Sequence, residues 1–224
     1  AIKYLKSVYI DKAGFEYDQV SDAAEKAWIQ EKIESGFFKQ ALSADEKKDL
    51  LERLTRVENF EKFIHKTFVG QKRFSGEGLD TQIVLFDEIL KTSEANNVKN
   101  VRIGMAHRGR LNVLTHILNK PYDMMFSDFA HVSNELFLPK DGSLEITKGW
   151  TGDVKYHMGA SLTRKSGMNV KLAYNPSHLE VGNPIVMGSA RAAQDDTSAA
   201  GFAKNDPSKA FAILISVSYP GSLS

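Results

Sequence analysis

Cysteine is absent from this chain. That excludes disulfide staples and thiolate metal sites, and it is compatible with a reducing compartment. Long apolar runs are absent too. None approaches the roughly 18–20 residues that a membrane-spanning helix needs, so no membrane partner is expected. Net charge is almost nil, 29 basic against 28 acidic side chains for a balance of +1. Nothing global therefore points to nucleic acid. Neither a Gly-x-x-x-x-Gly-Lys phosphate loop nor a Gly-x-Gly-x-x-Gly fingerprint occurs. The histidines are His65, His107, His116, His131, His157 and His178, with no His-x-x-x-His pair among them. No metal ligand set is expected from that spacing. The opening stretch AIKYLKSVYIDKAG is broken by Lys3, Lys6 and Asp11, so it does not read as a secretory signal. It starts on Ala rather than Met, as expected of a chain cut from something longer.

What is present is ordinary for a globular protein. The 224 residues are 42% hydrophobic and 25% charged, enough for one large domain or two small ones. Residues 1–95 read as helical. Ser21 to Ser35 carries Ala24, Trp28, Ile29 and Ile33 at helical spacing, with Gly36 as a stop. Ser43 and Glu46 match a capping box. Behind it Leu50, Leu51, Leu54, Val57, Phe60, Phe63 and Ile64 repeat at three and four, toward an end near Gly70. Leu79, Ile83, Phe86 and Leu90 form another such stripe.

Near residue 98 the period changes. Val101, Ile103 and Met105 alternate as in a strand. Leu111, Leu114, Ile117 and Leu118 return to helical spacing, closed by Pro121. Residues 127–152 read as a long loop holding a short strand at Leu144 to Thr147. Val170, Leu172 and Tyr174 alternate again, and Asn175-Pro176-Ser177 breaks that strand. Asn183-Pro184 starts a helix, and Phe211 to Ile215 is a fully apolar strand. The alternation predicts an α/β fold, a helical N-terminal segment (1–95) followed by a parallel sheet with covered faces (96–224). Ligands of such sheets sit beyond the carboxyl ends of the strands. His107-Arg108 and Ser177-His178 both fall there.

Three polar clusters stand at such positions. In His107-Arg108-Gly109-Arg110 the arginines can fork onto phosphate or carboxylate oxygens. The glycine allows close approach, and the helix that follows would offer free backbone N–H groups. Alone, the same residues read more simply as a solvated turn whose arginines pair with surface acids. In Gly152-Asp-Val-Lys-Tyr-His157-Met-Gly159 a histidine sits between glycines and can serve as acid, base or anion partner. A structural loop histidine is the simpler reading there. In Tyr174-Asn-Pro-Ser177-His178-Leu179-Glu180 the adjacent Ser177 and His178 are poorly placed as a nucleophile–base pair, and Ser177 with Glu180 also fits a helix cap.

In order, the stretches QKRFSGEGLD, GMAHRGRLNVL, TGDVKYHMG and LAYNPSHLEVGNPIVMGSARAAQDD resemble the thiamine-diphosphate-dependent, decarboxylating dehydrogenase component of the 2-oxoglutarate dehydrogenase complex. The resemblance covers residues 70–215, and the helical region before it fits more loosely. It implies a thiamine-diphosphate-binding α/β domain, of which residues 96–224 are a part. It implies the cofactors thiamine diphosphate and magnesium. It implies that 2-oxoglutarate loses carbon dioxide on the cofactor, and that the succinyl group passes to a lipoyl-lysine of a dihydrolipoyl succinyltransferase partner. It implies a homodimer. By the same resemblance His107 and His157 are catalytic, and Arg108, Ser177 and Leu179 contact the cofactor. His157 and Ser177 meet the substrate, and Arg110 supports the loop. A diphosphate and a dicarboxylate explain why a strand exit should be rich in Arg and His.

The chain departs from that pattern in two places. After Ile215 the family carries a Gly-Asp magnesium motif, and here the strand runs into Ser216-Val-Ser-Tyr-Pro-Gly-Ser-Leu-Ser224. Gly76 stands where a larger apolar residue is usual, which is expected to loosen the start of the following helix. The chain is thus expected to be an incomplete, inactive fragment. Rival readings are a 2-oxoadipate-type dehydrogenase of the same family and a non-catalytic anion-binding module. A cytoplasmic location is expected, or the mitochondrial matrix if the source is eukaryotic.

Overall fold

The computed structural model describes residues 1–10, 14–130, 140–147, 157–175, 181–195 and 205–215. The chain divides into two compact units, Ala1–Asp49 and Leu50–Ser224.

In the first unit, helices α1 (Ile2–Tyr9) and α2 (Ala23–Glu34) are joined by the Tyr9 hydroxyl, which donates to Glu34 Oε1 at 2.7 Å. Asp22 caps α2 by accepting from the Glu25 N–H. The capping box at Ser43 forms as its spacing predicts. Glu46 N–H donates to Ser43 Oγ, and Ser43 N–H donates to Glu46 Oε2 at 2.7 Å. That box opens α3 (Ala44–Thr67), inside which the boundary between the units falls.

In the second unit the predicted stripes become the core only in part, since Leu51, Phe63 and Leu79 are exposed. Val57, Phe60 and Ile64 of α3 and Ile83, Phe86 and Leu90 of α4 (Thr81–Ala95) are buried against the sheet. Strand β1 (Asn100–Met105) follows, then a three-residue helix α5 (Arg110–Asn112) that widens into a π-helical turn over Val113–Ile117. Next come α6 (Tyr122–Ala130), β2 (Leu144–Thr147), β3 (Gly159–Thr163) and β4 (Asn169–Leu172). The last elements are α7 (Asn183–Gln194) and β5 (Ala210–Ile215). Among the described residues, no helix is long and apolar enough to cross a membrane.

The sheet order is β2-β3-β4-β1-β5. β1 is parallel to both β4 and β5, which is the predicted arrangement. β2, β3 and β4 pair antiparallel, so the sheet is mixed rather than parallel. The cause is the length of the link. Only Arg164 to Met168 join β3 to β4, with Arg164 N–H donating to Met168 O at 2.9 Å. A parallel crossover needs roughly a dozen residues. The turn is tied to α4 by Arg164, which forks onto both carboxylate oxygens of Glu94 at 2.9 and 3.1 Å. The covered-face expectation also needs correcting at β5, whose residues after Ala210 are only partly buried or exposed. Among the described strands β5 lies at the sheet edge.

β1 has two different faces. Val101, Ile103 and Met105 point into the core. Gly104 faces α7, and an added Cβ would lie 2.9 Å from Val186 Cγ2 and 3.0 Å from Leu214 Cδ2. The absent side chain is what lets α7 pack down on β1 and β5. Gly76 also differs from expectation. It is buried, its N–H donates to Glu61 Oε1 at 3.0 Å, and an added Cβ would lie 3.3 Å from Gly109 Cα. The segment before α4 is held, not loosened.

Candidate functional site

β1 ends at Met105, and the chain turns through Ala106, His107, Arg108 and Gly109 before α5. Gly109 makes that turn possible. Its φ is +74°, a region that side-chain-bearing residues enter only under strain, and Gln82 Oε1 would lie 3.1 Å from an added Cβ. Its N–H donates to Phe74 O at 2.8 Å, and Arg110 N–H donates to His107 O at 3.1 Å. Those two donors are therefore spent within the protein. The expectation that the helix offers them to an anion does not hold at these positions.

The segment from Arg73 to Gly78 brackets the turn. Phe74 lies against the His107 ring, centroids 4.0 Å apart. Arg108 Nη2 donates to Glu77 O at 3.1 Å, while its guanidinium stays exposed. The bracket is anchored from α3 by Glu61, only 3% exposed. Its carboxylate accepts from Arg73 Nη1 at 2.9 Å, from Gly76 N–H, and from Asn112 Nδ2 at 2.6 Å. One buried acid thus holds both the bracket and the first turn after it.

Arg110 does something different from its neighbour Arg108. It is fully buried. Its Nη1 donates to Met105 O at 2.8 Å, and its Nε and Nη2 both donate to Met158 O, at 3.2 and 2.9 Å. Nη2 also donates to Ala173 O. The solvated-turn reading thus fails for Arg110, which supports the loop, and fits Arg108 in exposure alone. His157 precedes Met158, and its carbonyl accepts from Asn175 N–H at 3.1 Å.

His107 is partly buried, and its pKa is pushed below the ordinary histidine value, first by burial and then by the charge of His157. Both causes favour the neutral imidazole, which has one ring nitrogen protonated and the other free. The structure thus brings His107, Arg108 and His157 to one end of the sheet, where it leaves an exposed guanidinium beside a partly buried imidazole. Ser177 and Leu179 lie outside the described residues, as do His178, Gly152 and Asp153. Among the described residues no three His, Asp or Glu side chains stand close enough to hold a metal ion.

Sequence reasoning missed Phe74 and Glu61. Nothing about Phe74 marks it in advance. Glu61 carried a signal, since it is an acid on the same helix face as Val57 and Ile64, four and three residues away, both buried.

Comparison with known proteins identifies the family. The family model described as "Dehydrogenase E1 component" matches residues 77–215, from the bracket to the end of β5. The 2-oxoglutarate dehydrogenase E1 component of Geobacillus sp. (strain WCH70) is 53% identical over 227 residues, covering 99% of this chain. Those of Geobacillus kaustophilus (strain HTA426) and Bacillus subtilis (strain 168) are 50% and 49% identical over the same share. The chain spans 24% of the length of each of these relatives. With most of its sheet, including the His107 turn, inside the matched region, the chain belongs to the dehydrogenase E1 component family.

Proposed function

We propose that this chain forms part of a thiamine-diphosphate-dependent dehydrogenase that decarboxylates 2-oxoglutarate. In this reading the succinyl group passes to a lipoyl-lysine of a dihydrolipoyl succinyltransferase partner. The observation that supports it is His107, an exposed Arg108 and His157 gathered at the carboxyl end of β1, in a chain about half identical to 2-oxoglutarate dehydrogenase E1 components.

The donor set suits an anionic cofactor and a dicarboxylate substrate. Arg108 is a solvent-facing guanidinium steadied by Glu77 O, so it can fork onto diphosphate oxygens. His107, whose pKa burial and His157 lower, can take or give a proton during the reaction. His157 and Ser177 would bind the substrate, and Ser177 and Leu179 would contact the cofactor. When bound, thiamine diphosphate supplies the carbanion chemistry that lets a 2-oxo acid lose carbon dioxide. Magnesium does not find a ligand set among the described residues, and no step is assigned to it. Residues 96–224 would be part of the cofactor-binding α/β domain and 1–95 a helical region before it. The working protein would be a cytoplasmic homodimer.

A chimera tests this. Residues 1–215 replace the matching segment of the Geobacillus sp. (strain WCH70) relative, and ferricyanide reduction is followed. Turnover that needs 2-oxoglutarate, thiamine diphosphate and magnesium supports the reading. A folded chimera without turnover overturns it. Preference for 2-oxoadipate would move the substrate by one methylene, a difference worth about 1–3 kcal/mol in a pocket.

A further inference from the structure

We infer that Arg110 is the positioning residue that sets His157 against His107. The inference deepens the proposed function, because it takes those two histidines as the reacting site.

Three backbone segments must be held in register to place the two histidines together. They are the end of β1, the turn before β3 and the exit of β4. Arg110 donates to one carbonyl in each: Met105 O, Met158 O and Ala173 O. Met105 lies two residues before His107, and Met158 directly follows His157. Ala173 lies two residues before Asn175, whose N–H holds the His157 carbonyl. The Arg110 N–H in turn holds the His107 carbonyl at 3.1 Å. One side chain and its own backbone thus fix both histidines.

Burial makes the contact exacting. A guanidinium removed from water needs its N–H groups met by acceptors. The planar fork reaches three carbonyls at once, which a lysine ammonium on a flexible stem does not reproduce. Arg102, in β1, gives the contrast. It is half-buried and bonds Asn100 and Asn169 side chains, away from either histidine.

The test is a histidine NMR titration of the chain carrying Arg110→Lys, Arg110→Gln or, as control, Arg102→Lys. His107 titrates low first because of its burial and then because of the nearby His157. In either Arg110 variant the His107 titration is expected to move up toward the ordinary value, while Arg102→Lys leaves it in place. A His107 titration unchanged in folded Arg110 variants overturns the inference. So does the unfolding of both Arg110 variants while Arg102→Lys stays folded, for Arg110 would then hold the fold and not the pair.

The chimera separates this from the proposed function. There Arg110→Lys is expected to raise the KM for 2-oxoglutarate at least about tenfold with a smaller change in kcat. It should add nothing once His157 is replaced by Gln. Additive effects count against the positioning role. An unchanged KM in His157→Gln alone counts against the function itself.

Discussion

The Phe74 ring packs on the His107 imidazole with centroids 4.0 Å apart and planes inclined at 48°. Phe74 pays for that contact with a backbone φ of +42°, rare for a bulky side chain. The strain is locked in by the Phe74 O to Gly109 N–H bond. Burial is the first cause of the low His107 pKa. Phe74→Ala should therefore expose the imidazole and raise its pKa toward the ordinary value, since water favours the charged form. Histidine NMR measures this directly. A titration that stays put or falls would show that the ring does not shield His107.

At Gly104 the close approach of α7 leaves no room for a methyl group. Gly104→Ala is expected to destabilise the chain by about 1–3 kcal/mol, the usual cost of overpacking. Val186→Ala, which removes the nearest clashing atom, should recover part of that loss in the double variant although alone it leaves a cavity. Urea unfolding of the four proteins gives the coupling. Additive losses would mean that α7 shifts freely over β1.

His116 predicts a pH dependence of stability. Burial, then the charge of Arg56, lowers its pKa from 6.5 to about 4. The ring meets the Tyr122 hydroxyl at 3.0 Å and the edge of Phe60. Above pH 6.5 neither the folded nor the unfolded chain protonates it. Between 6.5 and about 4 only the unfolded chain binds the proton, so stability falls as pH falls. Solvent screening of this partly exposed ring leaves a loss of about 1–2 kcal/mol. His116→Gln, which can keep the Tyr122 contact, should flatten that part of the pH profile relative to the parent. Equal slopes would refute it.

Much of the fold was legible because its apolar periods are strong. The stripes at Val57 to Ile64 and Ile83 to Leu90, the Ser43 cap and the strand at Val101 to Met105 all lie where spacing places them. β3 was not legible, because Gly159-Ala160-Ser161-Leu162-Thr163 offers one large apolar residue and takes its strand form from pairing with β2 and β4. α6 was hidden by its polar end, which carries a buried ion pair between Lys120 and Asp128. For the candidate site, the sequence pointed to this turn but not to its supports. Gly109 and Arg110 announce a turn at a strand exit, whereas Glu61 and Phe74 reach it from 46 and 33 residues upstream of His107. Such contacts exist only once the chain is folded.

The most direct test of the site is the steady-state rate of the chimera with His107→Ala beside its parent. The expected result is a fall in 2-oxoglutarate turnover of at least about a hundredfold, the usual worth of a general acid–base group, with an unchanged unfolding midpoint. Turnover equal to the parent in a folded variant would contradict the assignment of His107, and with it the reading of this strand exit as an active site.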